Sequence, residues 1–215
     1  MGARVVALVC AVRAEERMLR RLEGPGVRVI VSGMGSGPAE RAARDAIAAG
    51  ATAAISVGFC GALDPSLQRG DVVVPAEVRD AETGDAFACD PLLSIGAGMA
   101  TGVLVTTAAV VGTPEERSRL AGTAVDMESA GTARACARAG IPFAAIRAVT
   151  DRAHDALPDM RGVVDPHGAV RPWSAIRRLV ARPSDLRRWV GLARGARAAR
   201  RALVPAVAAA LGPTA

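Results

Sequence analysis

Short apolar runs recur along the chain at residues 5–9, 27–31, 53–57, 71–75, 103–107, 123–125 and 143–149. They consist mainly of Val, Ile and Ala without polar alternation, which predicts strands buried on both faces. Helical patterns lie between them. Residues 14–22 place Met18, Leu19 and Leu22 on one side; 39–49 is Ala-rich and stopped by Gly50; 129–139 is closed by Gly140-Ile141-Pro142. Glycine just past a periodic segment is a helix stop signal. Two Gly-rich segments, 32–38 and 58–62, follow strands and read as turns at strand ends. The apolar stretch 102–111 reads as a buried strand, too short to cross a bilayer. Strands alternating with helices predict a single α/β domain, with a mostly parallel twisted central sheet flanked by helices.

Composition changes this picture at one end. The chain has 215 residues, 51% of them apolar and 22% charged, enough for one sizeable core. The fraction of Phe, Trp and Tyr is only 2%, which argues against nucleic-acid binding by base stacking. All 27 basic residues are Arg and the net charge is +6. Between residues 171 and 201 ten Arg accompany a single acid, Asp185. The shift falls near Pro166, so residues 1–165 read as the α/β core and 166–215 as an Arg-rich helical C-terminal part of the same domain. Two stretches of that part place apolar residues on one helical face beside Arg: Trp173, Ile176, Leu179 and Val180, then Leu186, Trp189, Val190 and Leu192. Arg and Trp on amphipathic helices suit peripheral contact with an anionic membrane surface; packing of the same helices on the sheet is the alternative. Cys10, Cys60, Cys89 and Cys136 show neither CxxC pairing nor metal-ligand spacing, so no metal site is expected. With no leader-like N-terminus, reduced thiols in a cytoplasmic protein are the expectation.

Candidate chemistry sits at two strand ends. Asp126-Met127-Glu128 runs from a strand into a helix, and Thr150-Asp151 ends the buried run 143–149. Acids at strand ends, with Gly-rich turns nearby, describe a small-molecule pocket at the edge of an α/β sheet. Taken alone, Asp151 also reads as an N-cap and Glu128 as a solvated acid in a first helical turn.

Several motifs then agree in order and spacing. Ser32-Gly33-Met34-Gly35, the block 57–75 from Val57-Gly58-Phe59-Cys60-Gly61 through Gly70-Asp71-Val72-Val73-Val74-Pro75, Val125-Asp126-Met127-Glu128, and Ile141-Pro142-Phe143 with Arg147 and Thr150-Asp151 resemble the purine nucleoside phosphorylase and methylthioadenosine/adenosylhomocysteine nucleosidase superfamily. Short length and the tail around Arg171-Pro172-Trp173 resemble most its hopanoid-associated branch, whose members remove adenine from adenosylhopane.

The resemblance implies a nucleoside phosphorylase-like fold and a role for each acid. Asp151 would place a proton near N7 of the leaving adenine. Glu128 would accept the ribose hydroxyls and stabilise positive charge on the sugar, with Met127 as an apolar wall. Glu15 would activate an attacking water, with Glu16 as the alternative one residue on. Val110 and Val111 would hold the base, or are plain core. Gly58, Phe59 and Cys60 would line the pocket; His154 reads as a solvated loop residue. No cofactor is implied, with phosphate as a candidate co-substrate. Phe59 replaces the Ser usual in this superfamily and Ser56 stands where some phosphorylases carry Arg, which weakens a phosphate site. Arg13, Gly33 and Gly35 could still supply one through guanidinium and backbone N–H groups. Water and phosphate therefore both remain open as nucleophile.

The expected activity is adenine release from adenosylhopane. The alternatives are a methylthioadenosine/adenosylhomocysteine nucleosidase and a non-catalytic nucleoside-binding module. The expected partners are a lipid-linked nucleoside, the inner face of the plasma membrane through the C-terminal helices, and further copies of the chain in a homo-oligomer; no nucleic acid is expected.

Overall fold

The computed structural model describes residues 4–94, 96–97, 102–158 and 185–212. They form one α/β domain around a nine-stranded sheet. In chain order the elements are β1 (Val6–Cys10), α1 (Arg13–Leu19), β2 (Val27–Val31), α2 (Ser36–Ala48), β3 (Ala53–Ala62), β4 (Val72–Val73), β5 (Glu77–Asp80), β6 (Ala86–Ala88), β7 (Val103–Thr106), α3 (Pro114–Arg117), β8 (Ala124–Asp126), α4 (Ser129–Ala139), β9 (Phe143–Asp151) and α5 (Leu186–Leu211).

β3 organises the sheet. One edge pairs with β9 in parallel from Ala54 to Gly61. The other edge pairs first with β1, from Ala53 to Ser56, and then with β8 at Gly61 and Ala62. Residues 57–60 therefore face a gap where β1 and β8 diverge from one strand. Such a divergence is where open α/β sheets bind ligands. The sheet is mixed: β1–β2, β1–β3, β3–β9, β5–β7 and β7–β8 are parallel, while β3–β8, β4–β9 and β5–β6 are antiparallel.

Several sequence expectations need correction. Gly58 and Gly61 do not turn the chain; β3 runs through both. Each leaves space that side chains fill, since a Cβ on Gly58 would lie 2.4 Å from Arg147 Nη1, and one on Gly61 would lie 2.8 Å from Asp151 Oδ2. The run 71–75 contributes only the two residues of β4, and Pro75 has no N–H to extend a ladder. The run 102–111 stops as a strand at Thr106, leaving Val110 exposed. Helix α1 ends at Leu19 and tightens into a 3-10 turn over Arg20–Leu22. The hairpin β5–β6 leaves no apolar run in the sequence because β5 is polar at three of its four positions and β6 is only three residues long; β5 buries only Val78 and Asp80.

Two glycines set helix positions. α4 lies so close to α2 that a Cβ on Gly131 would sit 1.9 Å from the Ser36 carbonyl oxygen. α5 lies on β9, with Gly195 against the Thr150 carbonyl, where a Cβ would come within 1.7 Å. The buried face of α5 is Gly195, Ala199, Leu203, Val204, Ala206 and Val207, against the strand side of Ala144, Ile146 and Ala148. Its first turns leave Leu186 and Val190 exposed. The amphipathic stretch expected around Trp173 to Val180 lies outside the described residues. Among the described residues no helix is long and apolar enough to cross a membrane.

Candidate active site

The gap beside β3 is filled by charge. Arg147, on β9 opposite Gly58, is 1% exposed. Its Nη2 lies 2.7 Å from Asp126 Oδ2 and donates to Ser56 Oγ at 2.7 Å and Ser129 Oγ at 3.0 Å. Its Nη1 makes only long contacts, 3.5 Å to the Phe59 carbonyl and 3.6 Å to Glu128 Oε2. One guanidinium thus faces the carboxylates of Asp126, Glu128 and, across Gly58, Glu15.

Each acid is fixed by its local structure. Glu15 sits at the third position of α1, and its Oε2 reaches back to accept the N–H of Ala11 at 3.0 Å and of Val12 at 3.1 Å. That is the return half of a capping box. Oε1 accepts the free-edge N–H of Phe59 at 3.2 Å. A carboxylate has about four acceptor positions, so one remains, on Oε1, at the gap. Glu16 points away and pairs with Arg20. Asp126 accepts Thr106 Oγ1 at 2.6 Å and the Ser129 N–H at 3.0 Å, which ties the end of β8 to the first turn of α4. Glu128 Oε1 accepts the Gly35 N–H at 3.1 Å. A cavity of about 340 Å³ adjoins the cluster at Gly35 and Thr106, between the N-terminus of α2 and the β5–β6 turn.

Burial raises both glutamates. Glu128 is pushed up to about 7, first by desolvation and then by Asp126 and Glu15, against the opposing pull of Arg147 and the Gly35 N–H. Glu15 is raised by desolvation, with Arg147 and three backbone N–H groups opposing. A carboxyl whose folded pKa exceeds its unfolded value holds its proton more tightly in the fold. Its contribution to stability is therefore full below about 4.5 and is lost as pH rises to about 7. For Glu128 that slope amounts to about 3 kcal/mol. Urea unfolding between pH 4.5 and 8 should show stability falling over that window, and Glu128→Gln should flatten the fall while leaving the part due to Glu15. A wild-type curve that rises through the window would contradict this placement of charge.

Asp151 stands apart from Arg147. It is buried at the end of β9, where Oδ1 accepts Thr150 Oγ1 at 2.5 Å and Oδ2 pairs with Arg117 Nη2. Gly58 in the first cluster and Gly61 beside Asp151 are three residues apart on β3, about 10 Å along a strand. The two acidic centres are thus held at opposite ends of one short stretch of backbone, with Phe59 and Cys60 between them.

The remaining sequence candidates divide. Phe59 is half-buried and offers its backbone to both Glu15 and Arg147. Cys60 is core; burial pushes its thiol up, and its carbonyl lies 3.2 Å from Thr150 Oγ1. Met127 is half-buried beside Glu128. Val110 is 48% exposed, and the carbonyl of half-buried Val111 accepts from Arg117. Gly33 donates its N–H to the Ala11 carbonyl, Gly35 donates to Glu128, and Arg13 is exposed on α1. His154 is exposed. The sequence alone assigned no role to Asp126 or Arg147 within their motifs and did not point to Ser129 or Arg117. A lone Arg inside an apolar strand is itself the signal for Arg147, since buried charge needs partners. The signal for α3 was Thr113-Pro114-Glu115-Glu116, a capping-box pattern with Pro at the first helical position.

A mixed sheet whose central strand is edged by a buried Arg and three carboxylates, with a fourth at the far end, defines a nucleoside phosphorylase-like α/β domain. The family described as Phosphorylase superfamily matches residues 11–175, and the chain belongs to it. It is similar along 97% of its length to 98% of the 5′-methylthioadenosine/S-adenosylhomocysteine nucleosidase of Neisseria meningitidis, solved with methylthio-immucillin-A, at 21% identity and TM-score 0.73. The S-adenosylhomocysteine nucleosidase of Streptococcus pyogenes, solved with 5-methylthiotubericidin, matches 73% of this chain over 87% of its own at 22% identity and TM-score 0.64. Futalosine hydrolase of Helicobacter pylori matches 70% over 89% at 18% identity and TM-score 0.62. The chain is thus a member of an enzyme superfamily, the phosphorylases, and shares its fold with these nucleosidases.

Proposed function

We propose that the chain hydrolyses the N-glycosidic bond of a 5′-substituted adenosine and releases adenine. The observation that carries this reading is the separation of the acidic centres along β3. The spacing suits a pentose at the Arg147 end and a purine at the Asp151 end, each with a hydrogen bond to its carboxylate.

Glu128 accepts the ribose hydroxyls and offsets the positive charge that develops on the sugar. Glu15 uses its remaining acceptor position to hold and deprotonate the attacking water. Asp151 shares a proton with N7 as the base departs. Two features favour water over phosphate. The backbone donors that could cradle an anion, Phe59 N–H and Gly35 N–H, are already given to carboxylates. A phosphate dianion would also enter a site where acids outnumber the guanidinium, an unfavourable like-charge contact.

The 5′-substituent has two readings. Adenosylhopane follows from the sequence resemblance and gains support from exposed Leu186 and Val190 beside Arg187 and Arg188 on α5, a surface suited to contact with an anionic lipid interface. Methylthioadenosine or adenosylhomocysteine is favoured by the end-to-end similarity to the Neisseria nucleosidase. Free adenine should be assayed from all three nucleosides, with and without inorganic phosphate. The expected result is adenine release at a rate indifferent to phosphate, with a free sugar as co-product. A sugar 1-phosphate product would replace hydrolysis by phosphorolysis, and no adenine from any substrate would end the reading.

A further inference from the structure

Arg117 has no part in the roles described so far, yet it is 3% exposed and lies against Asp151. It closes the short helix α3, which begins with a complete capping box at Thr113 and Glu116. Its guanidinium joins three segments that surround that acid. Nη2 pairs with Asp151 Oδ2 on β9. Nη1 donates to the Arg152 carbonyl at 2.6 Å, just past β9, and makes a longer contact of 3.5 Å with the Ala62 carbonyl at the end of β3. Nε and Nη2 donate to the Val111 carbonyl at 3.3 and 3.2 Å, in the loop after β7. Gly61 leaves the room this requires: a Cβ there would lie 3.5 Å from Arg117 Nη2 and 2.8 Å from Asp151 Oδ2.

We propose that Arg117 is a positioning residue for the leaving base: it fixes the Asp151 carboxyl and the Val110–Val111 loop as one unit, so that the purine meets a preformed edge. The inference rests on the adenine-releasing function proposed above. A planar guanidinium offers donors in fixed directions, which an ammonium does not. With Oδ2 held by Arg117 and Oδ1 by Thr150, the carboxyl cannot rotate, and each oxygen keeps one further lone pair that can carry the proton shared with N7 or accept an N–H of the purine. Small misplacement of a group that acts only as the bond breaks costs rate rather than ground-state binding.

The test compares Arg117→Gln and Arg117→Lys with the wild-type chain, measuring kcat and KM for adenine release together with thermal midpoints. Arg117→Gln should lower kcat about 100-fold and change KM about threefold or less. Arg117→Lys, which keeps the charge but not the planar geometry, should recover about one tenth of the wild-type kcat. A Gln variant with wild-type kcat overturns the inference. So does a loss shared equally by the Lys and Gln variants and matched by an equal fall in midpoint, because that pattern belongs to a purely structural ion pair. Failure of the wild-type chain to release adenine would instead overturn the functional reading on which the inference stands.

Discussion

Asp151→Asn is expected to cut adenine release about a thousandfold, the middle of the range for losing a general acid. Asn matches Asp in shape and still accepts through its carbonyl oxygen, but it has no acidic proton to share with N7. The same change leaves Arg117 buried without its anionic partner, which removes one half of a buried pair. A loss of stability of a few kcal/mol is therefore expected beside the kinetic loss. The two are separated by measuring kcat well below the variant's own melting temperature, where it is folded. A folded variant that still turns over within tenfold of wild type would remove Asp151 from the chemistry, and the purine end of the pocket would need another acid.

Arg147→Met should produce the largest loss of stability of any single change in this site, about 3–5 kcal/mol. Met fills a similar length, so packing changes little; what is lost is the cation facing Asp126, Glu128 and Glu15. For a domain of this size the melting temperature should fall by roughly 10 °C or more. Two further measurements identify the cause as charge. Because Glu128 takes up its proton near 7, the loss should be smaller at pH 5 than at pH 8. Combining Arg147→Met with Asp126→Asn should restore part of the stability, because removing both members of a buried pair costs less than removing one. A pH-independent loss with no recovery in the double variant would assign the effect to packing instead.

The two ends of the pocket differed in how far they could be read from the chain. Glu128 and Asp151 each lie within a few residues of the end of an apolar run, so their placement near strand ends was visible in local pattern. Glu15 was ambiguous with Glu16 until α1 was seen to start at Arg13, which puts Glu15 where a side chain can return to the N-terminal amides. Gly58 and Gly61 were misread because glycine usually interrupts a strand. Here their missing side chains accommodate Arg147, Glu15 and Asp151. Arg117 was invisible for a different reason. It sits on a four-residue helix with no amphipathic period, and its partner Asp151 lies 34 positions away. The parallel core was legible because fully buried strands are monotonously apolar. The antiparallel β5–β6 hairpin was not, because β5 is mostly polar and the edge strand β6 is only three residues long.

The contact between Gly195 and the Thr150 carbonyl makes the last helix a foundation for the chemistry rather than an appendage. Even a methyl group at position 195 would force α5 and the end of β9 apart and tilt the neighbouring acid with them. Drift in the Arg-rich tail is therefore unequally tolerated. Its outward side is free of that constraint, whereas its inward side is bound to the placement of Asp151, so loss of the helix would disturb that acid before it disturbed the sheet.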